Sequence, residues 1–387
     1  MKTDVLIVGA GLVGASLATA LQGCGVDVVL LDAASPKSPY VGEWDTRIYA
    51  ISPGSKNFLQ AGGAWSRIPV DRIAHVEGME VHGDDATAMI RFSAYQAGLR
   101  ELCSIVESRA IQHALIDVIE AAGEVTCLFG SRPMALAVDD RCAQVDLEDG
   151  RSIEARLVVG ADGAHSWVRE AMGIEARIRP YHQQGVVANF ETERSHGNIA
   201  RQWFRSDGVL ALLPLPGNRV SMVWSTWDAA AERLVCLEAE ALAREVGAAS
   251  AHELGELRVL APARGFPLRW MRAHEAVRPR VALVGDAAHS VHPLAGQGVN
   301  LGFQDADMLV DVLRRRGAQD DCGDYRLLRR YARSRSEPVA MMQSATDALQ
   351  RLFNNDVPGL KWLRNAGLNF TNGVVPVKSL FVAHALG

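Results

Sequence analysis

The run from Gly285 to Gly302, G-D-A-A-H-S-V-H-P-L-A-G-Q-G-V-N-L-G, concentrates residue types that can hold a ligand. Asp286 offers a carboxylate just after Val281 to Val284, a short apolar run that reads as a buried parallel strand. Pro293 and the glycines flanking Gln297 then lead into a helical pattern beginning near Gly298. A carboxylate accepts hydrogen bonds from sugar-type hydroxyls. The unpaired N–H groups at a helix start, with the helix dipole, favour an electron-rich ligand. Together they suit a flavin, which carries hydroxyls along its ribityl chain and a ring that becomes anionic at N1 on reduction. Two plainer readings stand beside this one. Asp286, His289 and His292 could form a metal trio, but Pro293 and the glycines oppose one continuous helix carrying all three. Asp286 could also simply cap a turn.

A second ligand-holding pattern lies at the start of the chain. Gly9-Ala10-Gly11-Leu12-Val13-Gly14 sits between an apolar strand at Asp4 to Val8 and a helix running to about Gly23, with a second strand, Val26 to Leu31, ending at Asp32. In such a unit Gly9 makes the tight turn, Gly11 lets backbone approach a pyrophosphate, and Gly14 lets helix and strand pack closely. Asp32 stands where a ribose hydroxyl is held. The pattern points to a dinucleotide and does not separate NAD from FAD.

The elements that must position these residues follow from composition and periodicity. A chain of 387 residues with 48% hydrophobic content can bury a large core and is expected to hold two domains. A net charge of −5 gives no electrostatic footprint for nucleic acid. The six cysteines (Cys24, Cys103, Cys127, Cys142, Cys236, Cys322) form no C-x-x-C pair, and buried, inert thiols of a reducing cytosol are the expectation. Val5 to Leu21 has some likeness to a signal-peptide core, but Asp4 and the phased glycines argue against export, and no stretch is apolar for long enough to span a bilayer.

Trp44 to Ser52 reads as a loop and helix start, with Arg47 either a fixed charge near the ligand or a solvated surface residue. Met79 to His82 and Met89 to Phe92 read as short strands. Glu107 to Ala121 reads as an amphipathic helix on which Arg109 and Gln112 could reach back to phosphate or ribose, or could simply be surface polarity. Val125 to Val159 is strand-rich, with Glu148 to Arg151 as a hairpin turn. It ends at Gly160-Ala161-Asp162-Gly163, a buried strand breaking into a helix, where Asp162 has both a structural and a ligand reading. Tyr181 to Leu260 alternates like a separate sheet, with a helix at Ala229 to Val246. Gly298 to Arg316 and Tyr325 to Phe353 read as long helices. The apolar-leaning tail from Pro358 could dock on a membrane or partner face, or on its own domain.

The G-x-G-x-x-G with Asp32, the G-A-D-G-A-H-S-W-V-R stretch and the G-D-A-A-H-S-V-H-P-L-A-G-Q-G-V-N-L-G stretch together resemble the three signatures of FAD-dependent aromatic hydroxylases of the para-hydroxybenzoate hydroxylase fold. The wording H-P-L-A-G-Q-G-V-N-L-G, the D-T-R-I-Y-A-I-S segment and the tail pieces L-R-N-A-G-L and P-V-K-S-L-F-V-A-H-A-L-G resemble the ubiquinone-biosynthesis branch, over nearly the full length. The resemblance implies an α/β chain: a Rossmann-like FAD-binding domain (1–77, 100–178 and 262–335), an α+β substrate domain with a mixed β-sheet (78–99 and 179–261), and a helical C-terminal region (336–387). It implies that Gly9, Gly11 and Gly14 hold the pyrophosphate, Asp32 the adenosine ribose, and Arg109 and Gln112 the sugar-phosphate portion. Asp286 would bind the ribityl-pyrophosphate region, and Gly296, Gly298, Val299 and Asn300 would frame the ring through backbone. Asp162 would mark the motif serving both FAD and NAD(P)H. Arg47, Pro293 and Gly298 would lie at the reacting end of the flavin. No metal is implied.

The activity implied is NAD(P)H-driven, O2-dependent hydroxylation of a polyprenylated phenol through a flavin C4a-hydroperoxide, in a closed and largely apolar pocket. The absence of a second G-x-G-x-x-G agrees with a nicotinamide donor that binds transiently. Other ubiquinone-biosynthesis proteins are the expected partners, and the cytoplasm, with peripheral contact to the inner membrane, is the expected location. A soluble aromatic substrate, or a non-catalytic FAD-binding role in an assembly, are the alternatives. No residue in Tyr181 to Leu260 stands out as the base that activates the phenol.

Overall fold

The computed structural model describes residues 1–36, 44–83, 89–292, 296–317 and 320–353. Its first layer grows from the strand Lys2–Val8, whose residues Val5 to Ile7 are fully buried. That strand pairs in parallel with Ser152–Gly160 on one side and Val28–Asp32 on the other. Val281–Leu283 and Val125–Phe129 extend the parallel sheet outward. Strands buried on both faces read as continuous apolar runs, as these do. The helix Leu12–Leu21 is apolar nearly all round, and it is packed on all sides: by this sheet, by Ser108–Ala122 and by Gly298–Arg314.

A nine-stranded sheet forms the second layer. It is antiparallel except where Ile199–Arg205 runs parallel to Gly78–His82. On one face Val186, Ala188, Phe190, Leu210, Leu212, Met222 and Trp224 pack against two helices, Asp228–Val235 and Ala239–Ala249. The sequence pattern suggests a single helix over Ala229 to Val246. The chain instead breaks at Cys236–Glu238, so that Ala231 and Leu234 from one helix and Leu242, Ala243 and Val246 from the next can each meet the twisted sheet. The other face of the sheet, carrying Gln183, Val187, Asn189, Ser221 and Val223 in direct register, looks away from these helices.

Two further boundaries differ from the sequence reading. Ile48–Ile51 is a strand rather than a loop, because it pairs with Ser104–Glu107, and the helix begins only at Pro53 with Ser52 as its cap. Arg264–Ala273, which the sequence division gives to the cofactor domain, is a strand of the nine-stranded sheet, paired with Ala176 to Val187. The strand Ser152–Gly160, the turn before it and the helix Tyr325–Phe353 fall where the patterns put them. The tail beyond Phe353 lies outside the described residues.

Candidate active site

The Gly9 turn is made by steric necessity. Gly9 has φ +107°, and a Cβ there would stand 2.5 Å from the Ala161 carbonyl oxygen. A Cβ on Gly14 would stand 1.8 Å from the Gly9 oxygen, so helix and strand meet closer than any other residue allows. A Cβ on Gly11 would meet nothing within 4 Å, which leaves open space over the loop. Gly11 is also the N-cap of the Leu12–Leu21 helix and supplies no side-chain acceptor, so the first N–H groups of that helix are left for a ligand. Asp32 locks the turn: its Oδ2 accepts from Ala10 N at 2.7 Å and its Oδ1 from Ala34 N at 2.8 Å. Gln112 donates to the Ala10 carbonyl at 2.9 Å, so it braces the loop from beneath. Asp162 lies beside Gly9. Its Oδ2 accepts from Val168 N at 3.0 Å, while its buried Oδ1 has no hydrogen-bond partner among the described residues.

The second loop abuts the first across Val13. A Cβ on Gly285 would touch the Val13 side chain at 3.3 Å, and one on Gly302 would collide with it at 2.5 Å. Asp286 is accessible to solvent yet hemmed in by protein atoms, as a group on the floor of a cleft is. Its surroundings raise its pKa by desolvation, against the charges of His289, Arg47 and Arg269. Gly298 opens the long helix Gly298–Arg314, and the side chain of its N-cap residue Gln297 does not cap that helix start. Asn300 is fully buried and its side chain is committed. It donates to Ala50 O at 2.8 Å and Gly296 O at 3.3 Å, and accepts from Ser52 N at 3.0 Å. Val299 packs its side chain into the core, leaving only backbone for a ligand. Pro293 lies outside the described residues.

Arg47 enters from the third direction. Its guanidinium stands over the Phe266 ring at 5.5 Å from the centroid and contributes its charge to the surroundings of Asp286 and Tyr49. The segment that carries it is tied on several sides. Asp45 O accepts from Asn189 of the nine-stranded sheet at 2.9 Å, Asp45 N donates to Glu107 at 2.5 Å, and the Asp45 carboxylate takes Arg47 N at 3.1 Å. Arg109 Nε stands 3.8 Å from the same carboxylate.

Beneath the second loop is a charge network that the sequence patterns did not mark. Asp305 is fully buried and takes three donors: Gly285 N at 2.9 Å, His289 Nε2 at 2.7 Å and Arg335 Nε at 2.6 Å. Burial alone would raise its pKa, but His289 and Arg335 together hold it below the usual carboxylate range. Arg335 also donates to Leu301 O and Gln304. The available signal was phase: Asp305 stands four residues from both Leu301 and Leu309 on an otherwise apolar stripe. His292 is buried as well, edge-on to the Tyr181 ring at 4.8 Å with Nε2 3.3 Å from Gln183 Oε1, and its Nδ1 has no partner among the described residues. Desolvation brings its pKa down to about 4, so it is neutral at physiological pH.

These features fit FAD. Two helix starts without side-chain caps, an open glycine turn, an Asp162 oxygen without a partner among the described residues and the solvent-accessible Asp286 carboxylate lie on segments that Val13 joins through Gly285 and Gly302. Among the described residues no group of His, Cys, Asp and Glu could hold a metal ion.

The chain matches the FAD binding domain family over residues 2–346. It is 36% identical to the 3-demethoxyubiquinol 3-hydroxylase of Escherichia coli over 388 residues, covering 100% of this chain and 98% of that protein. It is 36% identical to a ubiquinone hydroxylase of Rhodospirillum rubrum, covering 99% of this chain and 89% of that protein. It is 35% identical to the mitochondrial ubiquinone biosynthesis monooxygenase of Homo sapiens, covering 99% and 92%. Among solved structures it resembles PqsL of Pseudomonas aeruginosa in complex with 2-aminobenzoylacetate, with 27% identity and a TM-score of 0.80 over 96% of this chain and 100% of that one. HpxO of Klebsiella pneumoniae, complexed with FAD and uric acid, shares the fold at 19% identity, with a TM-score of 0.78 over 99% of this chain and 97% of that one. Matched by that family's model over residues 2–346 and by full-length relatives at 36% identity, the chain belongs to the FAD binding domain family, on the branch that holds the ubiquinone-biosynthesis hydroxylases.

Proposed function

We propose that this chain is an FAD-dependent monooxygenase that hydroxylates the aromatic ring of a polyprenylated phenol in ubiquinone biosynthesis, with NAD(P)H as electron donor and O2 as oxidant. The observation that carries this reading is full-length similarity at 35–36% identity to three ubiquinone-biosynthesis hydroxylases, in a chain whose glycine turns and acids form one cleft. FAD, when bound, supplies the redox and oxygen chemistry.

The chain's own residues supply position and field. Gly11 and the Leu12 helix start would take the pyrophosphate, with Asp32 beside the ribose. Asp286 would accept from the ribityl hydroxyls, and the backbone N–H groups at the start of the Gly298 helix would face charge developing on the ring. Arg47, held over Phe266 and tied to the sheet through Asp45 and Asn189, would set a fixed positive charge at the junction of cofactor and substrate. On the face of the nine-stranded sheet that also bears Gln183, Asn189 and Ser221, Val187 and Val223 would supply the apolar part of the wall against which a phenol and the start of its chain lie. No described helix is long and apolar enough to cross a membrane, so the proposal has the protein meet a lipid-borne substrate from the surface, in contact with other ubiquinone-biosynthesis proteins.

The test is anaerobic reduction of the purified yellow protein by NADPH and by NADH, with and without a short-chain prenylphenol, then admission of oxygen and mass analysis. Faster bleaching with the phenol and a product heavier by one oxygen support the proposal. Turnover of a soluble aromatic acid in place of every prenylphenol would favour the alternative suggested by the PqsL complex with 2-aminobenzoylacetate. Bound flavin with no oxygen transfer to any phenol would end it.

A further inference from the structure

On the side of the second loop away from the cofactor cleft, a groove of about 280 Å³ runs between the strand Arg264–Ala273 and the helix Tyr325–Phe353. Its floor is the His289, Asp305 and Arg335 network and its rim carries Arg272, Arg329 and Arg333. Arg272 also walls an adjoining depression of about 150 Å³ that holds Arg177, Arg179 and Trp270. The clustering is a matter of register. Arg177 pairs with Arg272 and Arg179 with Trp270 across two antiparallel strands, so all four side chains share one face.

The neutralising groups nearby are few. Arg179 is paired with Asp347, and Glu275 is paired with Arg278 at 3.0 Å. Asp305 is saturated by Arg335 and His289. Among the described residues the Arg272 guanidinium donates only to Ser336, to O at 3.3 Å and Oγ at 3.4 Å. Arg329 lies over the Tyr325 ring and Arg177 over the Trp270 ring, and among the described residues neither these two nor Arg333 has a carboxylate within 4 Å. A chain with a net charge of −5 has therefore gathered along one trough four guanidiniums that, among the described residues, have no carboxylate within 4 Å, while the carboxylates lining it, Glu275, Asp305 and Asp347, are paired with other arginines. Like charges brought together on a concave surface raise each other's energy and concentrate anions there.

We infer that this groove binds a phosphate group, with Arg272, Arg329 and Arg333 as its ligands. Guanidinium forks match the oxygens of phosphate esters, and three of them lining one groove from a strand and a helix can hold one there. The same chemistry is presented by the headgroup of an anionic lipid and by a soluble polyphosphate. The inference needs nothing from the proposed hydroxylase reaction.

The experiment uses the full FAD-loaded chain. Co-sedimentation is measured with vesicles of phosphatidylcholine alone and of phosphatidylcholine with phosphatidylglycerol, at low and high salt. Titration calorimetry is run with inorganic pyrophosphate. The wild type is compared with the double variant Arg329→Gln/Arg333→Gln and with Arg141→Gln, an exposed loop arginine far along the sequence from the groove. Binding is expected for the wild type and Arg141→Gln, weakened roughly fivefold per groove arginine and so roughly 25-fold in the double variant, the fold-change that about 1 kcal/mol per arginine corresponds to. Binding to phosphatidylglycerol vesicles that pyrophosphate does not displace makes a lipid headgroup the source. Binding of pyrophosphate alone makes it a soluble phosphate. No binding in either arm, or a double variant that binds as well as Arg141→Gln, overturns the inference. The flavin spectrum and urea midpoint, unchanged in both variants, show that the cofactor fold is intact.

Discussion

The Gly9 turn and the Gly285 to Gly302 segment face each other across Val13, yet different forces hold them. The first is shaped by contact: Gly9 against Ala161, Gly14 against Gly9, with one carboxylate, Asp32, tying down two N–H groups at the edge. The second is shaped by buried charge and amide bonds: Asp305 holding Gly285 N, Arg335 and His289, and Asn300 stitching Gly296 to Ala50 and Ser52. Steric constraints act at contact range and do not change with pH. Electrostatic constraints recruit partners from far away, and they respond to pH and to single-atom changes. Two loops serving one cofactor should therefore fail in different ways.

The sharpest way to break this contrast is Asp305→Ala. It leaves Arg335 as an uncompensated buried cation and should cost about 3–5 kcal/mol in urea unfolding. A loss under 1 kcal/mol would mean that the network holds nothing. Acid should act on the same loop. His292 has its folded pKa lowered to about 4 against 6.5 unfolded, so the unfolded chain takes up a proton first as pH falls. Its contribution is intact above pH 6.5 and is lost between there and about pH 4, on the order of 3 kcal/mol in total. His292→Gln should flatten that part of the stability profile, and an identical profile in the variant would contradict the assignment.

The first loop should answer to size instead. Gly14→Ala places a methyl 1.8 Å from the Gly9 oxygen, and overpacking of this kind should cost about 1–3 kcal/mol whatever the pH. Gly11→Ala should be the mildest for the fold, within about 0.5 kcal/mol of wild type in the apo protein, since its Cβ enters open space. The same methyl stands where the pyrophosphate must approach, so FAD affinity, read by flavin fluorescence, should drop at least tenfold. Stability and affinity falling together in Gly11→Ala would mean that the space is structural rather than reserved for the cofactor.

The same contrast explains what the sequence disclosed. The Gly9 turn, its two strands and Asp32 were legible because the glycines, the strand Val28–Asp32 and the carboxylate that holds Ala10 N follow one another in a short stretch of chain. So was Asp286, a carboxylate at a strand end. Asp305 and Arg335 were not, because a helix with one acid on its apolar stripe looks like a flaw until a second helix supplies the cation. Asn189 was hidden for a related reason. Its amide holds the carbonyl of Asp45, 144 residues earlier, and nothing in the alternation of its strand distinguishes it from a packing position. The contact between Arg109 and Asp45 was not legible, because Asp45 lies 64 residues before it in the chain. The sheet boundary at Arg264 was missed because a run of mixed polarity reads as a connection until its register with Ala176 to Val187 is seen.

The break between the two helices behind the nine-stranded sheet has a practical side. It leaves Cys236 exposed, while Cys322 is buried and the other described thiols are partly covered. Burial also pushes Cys103 and Cys322 up to about 12, which keeps them protonated and poorly nucleophilic. A maleimide dye should therefore attach first at Cys236, on the back of the sheet and away from the Asp45 and Asn189 contact. The native chain thus offers an optical reporter for the substrate-side sheet, needing no engineered cysteine, with the flavin as its built-in energy-transfer partner.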